Sequence, residues 1–469
     1  MAVLKFEKES EKSRLTVWDM LSDSQREEAF AFCEGYRQFL DRGKTEREVV
    51  DFAVSMAREK GFCDLSEKSG LLPGDKVYSV NRRKEMVLAV VGQESLERGL
   101  RLVGAHIDSP RLDLKPEPLY EDEGHLSLMK THYYGGIKKY HWVGIPLSLH
   151  GVVVKGDGTV VKVSLGDAPG EPVFTITDLL PHLSKDQMEK KMSEGIAGEA
   201  LNILVGGIPV KDREVKQRIK QGVINRLGDM YGISEEDFIS AELQAVPAWP
   251  ARDVGFDGGL LGAYGQDDRV CSYAALRALM EIETSARTAA VLLADKEEIG
   301  STGNTGMQSA FLENFVAELV AGRDEKYTDL SLRRCLAASC GLSADVNAAL
   351  DPNYEEVMDK LNASRIGRGV VLTRYTGVRG KSGSSEAGAE FVGRVRGLFN
   401  GQGVYWQTGE LGKVDQGGGG TIAYLLAAYN MDVVDCGVAL LGMHSPFEVA
   451  SKADIFMTYR AYSAFLQHI

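Results

Sequence analysis

Short apolar runs recur along the 469-residue chain, and several of them stop abruptly at charged or polar side chains. The run Ala289–Ala294 is followed directly by Asp295-Lys296-Glu297-Glu298. An apolar run of this length is typical of a buried strand that presents charge at its carboxyl end. In open α/β sheets, that end of the strands is where sites are built.

The two adjacent glutamates after this run can serve different purposes. Neighbouring side chains on an extended segment point in opposite directions, so Glu297 and Glu298 face different surroundings. One of them can bind a metal ion while the other takes a proton from metal-bound water. A solvated acidic turn is the alternative, because a short acidic motif often has no function of its own.

In the amino-terminal part of the chain, another apolar run ends at polar side chains. Its pattern predicts helices at 24–40 and 45–60 and strands at 77–81, 86–91 and 102–105. The third strand runs directly into His106 and Asp108. Residues two apart on a strand share a face, so Asp108 can fix the tautomer of the His106 imidazole and raise its basicity as a metal ligand. A chance surface pair is the alternative.

Three later predicted elements also begin at, or are followed by, polar side chains. Asp267 introduces a predicted helix. A predicted strand at 335–342 is followed by Asp345, and the last predicted strand, at 433–441, is followed by His444. Each of these residues, taken alone, is explained equally well by a structural role.

The stretch from about residue 110 to residue 250 differs from its flanks. Valine-rich strands around a glycine-containing turn come first, followed by polar helical segments near 186–201 and 213–231. Because this stretch separates two parts of the candidate site, it is interpreted as an inserted domain. Its aromatic residues suit an interface core, and they include Tyr133, Tyr134, Tyr140 and Trp142.

Composition narrows the class of protein. The net charge of −13 argues against nucleic acid or an anionic membrane as the main partner. No apolar run reaches membrane-spanning length, and the first residues lack the apolar core of a signal peptide. The six cysteines form no Cys-x-x-Cys pair, which favours free thiols in a reducing compartment. We therefore expect a cytoplasmic protein.

The polar residues at these strand ends and helix starts together predict a metal centre. They share a position at a strand end or a helix start and comprise His106, Asp267, Glu298, Asp345 and His444. Imidazoles and carboxylates suit zinc, and one carboxylate can span two ions about 3.5–4 Å apart. The set therefore has the composition that a dinuclear zinc site requires.

Motifs around these residues resemble a known family. In order, the chain carries Gly-Ala-His-Ile-Asp-Ser-Pro (104–110), Asp-Asp-Arg (267–269), Asp-Lys-Glu-Glu-Ile-Gly-Ser (295–301), Ser-Ala-Asp (343–345) and Met-His-Ser (443–445). This is similar to the bacterial M18 metallo-aminopeptidases, relatives of aspartyl aminopeptidase, and the resemblance covers nearly the whole chain. It implies hydrolysis of the N-terminal residue from peptides with a free amino terminus.

The resemblance also implies an architecture. The fold would be α/β, with a mixed β-sheet of the zinc-peptidase type flanked by helices. Residues 1–109 and 251–469 would form a discontinuous zinc-dependent catalytic domain, and 110–250 an inserted, mainly-β dimerisation domain. Dimers would build a dodecameric shell of tetrahedral symmetry, with the active sites facing its interior.

Roles for the site residues follow from the same resemblance. His106 would bind one zinc ion and His444 the other, Asp267 would bridge them, and Glu298 and Asp345 would complete the two sets. Co²⁺ or Mn²⁺ would substitute for zinc.

The catalytic residues are implied in the same way. Glu297 would be the general base, and Asp108 would orient the histidine ligand. Many eukaryotic relatives have Asn at the position of Asp268, and the ligand position is the preceding Asp267.

Several alternatives stay open at this point. A related dinuclear-zinc carboxypeptidase or deacylase uses the same order of ligands, and a non-catalytic shell protein would keep zinc for structure alone. Lys381 can pair with an acidic side chain of a substrate or be a solvated loop residue. His182 can reach into a neighbouring subunit's site or simply pack after Pro181.

Overall fold

A computed structural model describes residues 15–123, 125–323, 327–379 and 382–469. Within these residues the chain divides into two units. The first comprises the described residues up to Asp108, Ala251–Met443 and Glu448–Ile469, and the second comprises Ser109–Pro250 and His444–Phe447. The division places the short segment that carries His444 with the second unit.

The first unit is built on a mixed sheet. Among the described residues this sheet has nine strands, in the order β1-β2-β3-β13-β4-β14-β20-β16-β19. Their bounds are β1 Cys63–Asp64, β2 Lys76–Asn81, β3 Glu85–Val90, β4 Arg101–His106, β13 Ala289–Ala294, β14 Cys340–Ser343, β16 Val370–Thr373, β19 Trp406–Thr408 and β20 Asp432–Gly437. The central strands β13, β4, β14 and β20 run parallel, so their carboxyl ends meet at one edge.

Helices cover both faces of this sheet. Those of the first unit are α1 Val17–Met20, α2 Asp23–Arg42, α3 Glu46–Glu59, α7 Gln266–Met280, α8 Phe311–Arg323, α9 Asp329–Ala338, α10 Ala389–Gly401, α11 Ala423–Ala427 and α12 Lys452–His468. Alternate residues of β13 enter two separate cores, because side chains on a strand point to opposite faces. Val291 packs in the core that contains residues of α7 and α12, and Leu292 in the core that contains residues of α8 and α9.

Two smaller sheets complete the first unit in the described part of the chain. A five-stranded sheet has the order β11-β12-β22-β21-β15, and a two-stranded sheet pairs β17 with β18. Their bounds are β11 Arg252–Val254, β12 Leu260–Ala263, β15 Asn347–Ala348, β17 Tyr375–Val378, β18 Ser382–Glu386, β21 Ala439–Leu441 and β22 Glu448–Ser451.

The second unit is mainly β. Its described residues form a six-stranded sheet in the order β8-β7-β10-β5-β6-β9, in which every neighbouring pair is antiparallel. The strands are β5 Arg111–Asp122, β6 Leu126–Tyr134, β7 Leu147–Val154, β8 Val160–Leu165, β9 Ile203–Gly206 and β10 Ala241–Pro247. The helices are α4 Lys185–Met188, α5 Met192–Gly195 and α6 Arg218–Tyr231.

The α/β fold with a mixed sheet and flanking helices confirms the predicted fold class, and some local predictions are wrong. The predicted strand at 335–342 is in fact the end of α9 followed by the short strand β14. The predicted strand at 433–441 is interrupted at Val438 and supplies β20 and β21 to two different sheets. The predicted helix near 186–201 is replaced by the short helices α4 and α5 and a 3-10 turn.

Helix length and composition bear on one further prediction. Within the described ranges, no helix combines the length and the apolar character needed to cross a membrane.

Candidate metal centre

Three neighbouring parallel strands bring the predicted ligands to one edge of the large sheet. In the register of β4 and β13, His106 lies opposite Ala294. The pairing continues beyond the strand, because the N–H of Ile107 donates to the carbonyl of Ala294 at 2.9 Å. On the other side of β4, the N–H of Ala344 donates to the carbonyl of Gly104 at 2.7 Å, and Asp345 follows.

The start of α7 supplies two further acids. Asp267 and Asp268 have non-helical backbone angles within the first turn, and the peptide bond between them is cis. The N–H of Asp267 donates to the Glu448 carboxylate at 3.1 Å. One turn later, the hydroxyl of Ser272 donates to the carbonyl of His106 at 2.7 Å. The first contact holds the start of the helix against β22, and the second holds it against the end of β4.

His106 is at the centre of the arrangement and is buried. Its Nε2 lies 3.1 Å from the carboxylate of Asp267 and 3.9 Å from that of Asp345. Burial by itself lowers the pKa of the imidazole, but hydrogen bonds to Asp108 and Asp267 outweigh it and raise that pKa well above its ordinary value. Binding of a metal ion by His106 would therefore compete with binding of a proton.

Asp108 joins the two motifs that carry the site. Its carbonyl oxygen lies 3.1 Å from Nδ1 of His106, and its carboxylate 3.3 Å from the same nitrogen. The carboxylate also accepts hydrogen bonds from the backbone N–H groups of Glu297 and Glu298, at 3.1 and 3.2 Å. No sequence pattern indicates this second pair of contacts, because 189 and 190 positions separate the partners.

A tight turn carries the two glutamates. Glu297–Ile299 form a single 3-10 turn, flanked by Lys296 and Gly300 in the left-handed region with φ of 68° and 90°. Lysine adopts this conformation less readily than glycine. Two contacts stabilise it, since the ammonium of Lys296 binds the carboxylate of Asp295 at 2.8 Å and also contacts the hydroxyl of Thr305. The side chains of Glu297 and Glu298 are both half-buried.

Two overlapping groups of side chains have the geometry of metal ligands. One contains His106, Asp267 and Glu298, and the other His106, Asp268 and Asp345. Within each group, the potential ligand atoms all lie within 4.8 Å of one another. One imidazole with several carboxylates is a donor set that suits zinc, so the residues present fit the metal.

The charges of the acids also favour a cation. Burial raises the pKa of the Asp345 carboxyl well above its usual range; His106 opposes this effect, and the nearby acids Asp268, Asp267 and Glu297 add to it. Burial likewise raises the pKa of Asp268. Ionising this cluster without a counter-ion is unfavourable, and a divalent cation would reverse that balance.

The position of Asp268 is a finding that sequence reasoning missed. The motif placed the ligand at Asp267 and gave Asp268 no part in the site. In the structure, Asp268 is fully buried and belongs to the second group of potential ligands. A carboxylate next to a predicted ligand was the only available signal.

Besides Glu297 and Asp108, three predicted residues are not part of these groups. His444 belongs to the second unit, where its Nδ1 lies 2.8 Å from the carbonyl oxygen of Gly136. His182 is exposed, in the 3-10 turn Pro181–Leu183 of the same unit. Lys381 lies outside the described residues.

Comparisons with known proteins agree with this architecture. The family profile described as Aminopeptidase I zinc metalloprotease (M18) matches residues 39–466. A protein from Clostridium acetobutylicum named "Probable M18 family aminopeptidase 1" is 50% identical over 461 residues, covering 97% of this chain and 99% of the relative. A crystal structure of an M18 aminopeptidase from Thermotoga maritima matches with a TM-score of 0.93 at 49% identity, covering 97% and 99% of the two chains.

A more distant neighbour shares the fold. The yeast aminopeptidase 1 dodecamer matches with a TM-score of 0.74 at 23% identity, covering 93% of this chain and 96% of the yeast chain.

A mixed sheet that gathers a histidine and carboxylates at the carboxyl ends of its parallel strands is the framework of a zinc-dependent peptidase. Within that class, the chain belongs to the M18 family of zinc aminopeptidases, which are metal-dependent exopeptidases. The resemblance drawn from the sequence motifs is therefore confirmed.

Proposed function

We propose that the chain removes the N-terminal residue from peptides with a dinuclear zinc site at the edge of the large sheet. The observation that carries this proposal is the pair of overlapping ligand groups that share His106. Asp267 and Glu298 belong to one group and Asp345 to the other. The proposed roles are those that the motifs imply, with Asp267 bridging two ions and Co²⁺ or Mn²⁺ able to replace them.

Two predicted features of this site need their own tests. His444 as a further ligand stays a prediction, and the zinc content of His444→Ala would test it. The number of ions is tested by metal analysis of the purified chain, for which we expect two per subunit.

Side chains of the protein would transfer the proton during hydrolysis and hold the reacting groups in position. Bound zinc would acidify water and polarise the scissile carbonyl. Glu297 would accept the proton from the attacking water and return it to the leaving amine. Asp108 would hold the backbone of Glu297 and the ring of His106 in fixed positions, since it contacts both.

The requirement for a free amino terminus on the substrate is tested with paired peptides. We expect cleavage of peptides with a free amino terminus and none of the same sequences after N-acetylation. A carboxypeptidase or deacylase would act on the acetylated members, and that result would contradict the proposal. A series of aminoacyl fluorogenic amides would then define the preferred first residue, and Lys381→Ala would test the predicted pairing with an acidic side chain.

We propose further that the chain assembles into a homo-oligomer through the second unit. A short segment of this unit exposes large apolar side chains, namely Leu179, Leu180, Leu183, Met188 and Met192. Exposed apolar groups this close together are typical of an interaction surface. The yeast relative is described as a dodecamer, and a tetrahedral dodecamer built from dimers is the corresponding prediction here.

A cytoplasmic location is the remaining proposal. It rests on the free thiols expected from cysteine usage, and in the described structure all six cysteines are free. Fractionation of cells that express the full chain would test it.

A further inference from the structure

A polar cavity lies at the opposite edge of the large sheet from the metal centre. It has a volume of about 350 Å³. The strands β14 and β20 begin beside it, at Cys340 and Asp432. The strand β4 begins next to Cys340, since Arg101 and Cys340 are partners in the register. Because β4 runs over the six residues from Arg101 to His106, the five rises between them separate the two edges by roughly 17 Å.

Three arginines line this cavity, which we call the arginine cavity, and their charges are incompletely balanced. Arg394 pairs with Asp432 at 2.6 Å. Arg98 and Arg287 share a single acid, Glu94, at the longer distances of 3.8 and 3.7 Å.

The other acid in the wall contributes little to these arginines. Glu97 lines the cavity, but its carboxylate pairs with Arg334 at 3.5 Å, and Arg334 is not a lining residue. The cavity therefore keeps an excess of positive charge.

A fourth arginine, Arg101, lies behind the lining, and the hydrogen bonds of its guanidinium are incomplete. Arg101 is only 6% exposed, and its Nη1 donates to the carbonyl oxygen of Leu466 at 3.3 Å. Within the described ranges its buried Nε has no hydrogen-bond partner. Burial and the charge of Arg287 lower the pKa of the guanidinium, and Cys340 and Glu94 oppose that effect.

This arrangement is unfavourable for the protein alone. A buried charge is costly unless it is paired, and here a like charge lies near it. An anion in the cavity would be attracted by Arg98, Arg287 and Arg394 and would also offset the charge of Arg101. Guanidinium groups bind planar or tetrahedral oxoanions through paired N–H donors, so they suit carboxylate and phosphate groups.

We propose that the arginine cavity binds a small oxoanion, a phosphate or carboxylate group, at a site separate from the metal centre. The ligand must be small, because Glu97 and Asp432 occupy the wall and the carbonyl end of α9 approaches it at Ala338. The helix end carries partial negative charge and would repel an extended polyanion.

The site would therefore take inorganic phosphate, a small phosphate ester or a free carboxylate. Such a ligand would bind at the start of the strand that ends in His106.

Calorimetric titration of the zinc-loaded full chain tests this proposal. Inorganic phosphate and acetate are titrated in separate arms, with chloride adjusted to hold the ionic strength constant. We expect saturable binding in at least one arm, and the preferred arm identifies the source of the oxoanion. Absence of saturable binding in both arms would overturn the proposal.

Variants separate this cavity from the zinc site, which also attracts anions. Arg287→Gln should weaken binding about tenfold or more, as expected for loss of a charge-assisted pair. Arg101→Gln should do the same if it folds, and the partly exposed Arg287 keeps the test valid if it does not. The matched control is Arg333→Gln, an exposed arginine of α9 that pairs with Asp329 away from the cavity. Binding that Arg287→Gln leaves unchanged would be binding elsewhere, and it would refute the site.

Discussion

The carboxylate of Asp108 accepts a hydrogen bond from the backbone N–H of Glu297, with 3.1 Å between Oδ1 and nitrogen. This contact ties the turn after β13 to the end of β4. The same side chain lies 3.3 Å from Nδ1 of His106, so one carboxylate positions both a predicted ligand and the predicted base. Groups that orient metal ligands in this way often matter nearly as much as the ligands.

Replacing this carboxylate should weaken metal binding. In Asp108→Asn, the amide cannot accept from both backbone N–H groups and loses its charge beside His106. We expect zinc affinity to fall about 10–100-fold, measured by competition with a chromophoric chelator.

The control for that change is Asp75→Asn. Asp75 also accepts from a backbone N–H, that of Leu72 at 2.8 Å, but it is not among the potential ligands or their contacts. This variant should keep its zinc affinity. Equal loss in both variants would mean that Asp108 acts only through general stability.

The predicted base is tested by a neutral isostere. Glu297→Gln keeps the size of the side chain and removes its ability to accept a proton, so kcat should fall about 10²-fold or more while bound zinc is unchanged. Glu298→Gln should instead lose metal. If Glu297→Gln loses zinc and the activity per bound ion is normal, the two glutamates have exchanged roles.

Metal removal should abolish activity reversibly. The acids of the site resist ionisation when no cation is present, because burial raises the pKa of Asp345. Since bound zinc would acidify the attacking water and polarise the scissile carbonyl, chelation should remove activity, and Zn²⁺, Co²⁺ or Mn²⁺ should restore it. Thermal unfolding should also shift to lower temperature without metal, because the ion stabilises only the folded state. Full activity in exhaustively chelated protein would contradict a zinc mechanism.

Stability should depend on the ionisation of Glu85. This residue is buried on β3, and burial raises the pKa of its carboxyl from 4.5 to about 8. Between those values the folded state binds more protons than the unfolded state, so stability falls as pH rises from about 5 to 8. The slope contributed by one group is at most about 1.4 kcal/mol per pH unit.

The Glu85→Gln variant should remove that slope. Melting temperatures across this pH range should fall less in the variant than in the wild type. The control is Glu283→Gln, whose exposed side chain pairs with Lys76 and should leave the wild-type slope intact. An unchanged slope in Glu85→Gln would show that Glu85 is not the responsible group.

The shared-site hypothesis concerns His182. If this residue reaches into a neighbouring subunit's site, His182→Ala should lower turnover in an intact oligomer that keeps its zinc. Mixing it with Glu297→Gln and allowing subunits to exchange should restore some activity, because a hybrid dimer contains one site with both groups. An unaffected His182→Ala enzyme would exclude the shared site, and a fully active monomer would exclude the proposed assembly.

The sequence predicted those parts of the site that depend on local pattern. His106 and Asp345 follow buried strands, and an apolar run that ends in a polar residue is visible in the sequence itself. The contact between Asp108 and Glu297 was not predictable, because it depends on the pairing of β4 with β13 across the fold.

Local errors have a similar physical origin. The segment at 335–342 contains apolar residues suited to either a helix end or a strand, and its short length gives no clear period. The structure buries Cys335 and Leu336 as part of a helix and Leu342 as part of a strand. Tertiary packing, rather than local preference, decides where one element ends and the next begins.

The parallel pairing of β14 with β4 has a consequence for how the protein is made. The two ligand groups draw on residues from His106 to Asp345, so neither the last acid nor its strand exists when the first histidine leaves the ribosome. A growing chain that stops before β14 holds at most part of the cluster. A chain that ends between Glu298 and β14 already carries the first ligand group, whereas loading of the second group must follow the emergence of about three-quarters of the polypeptide.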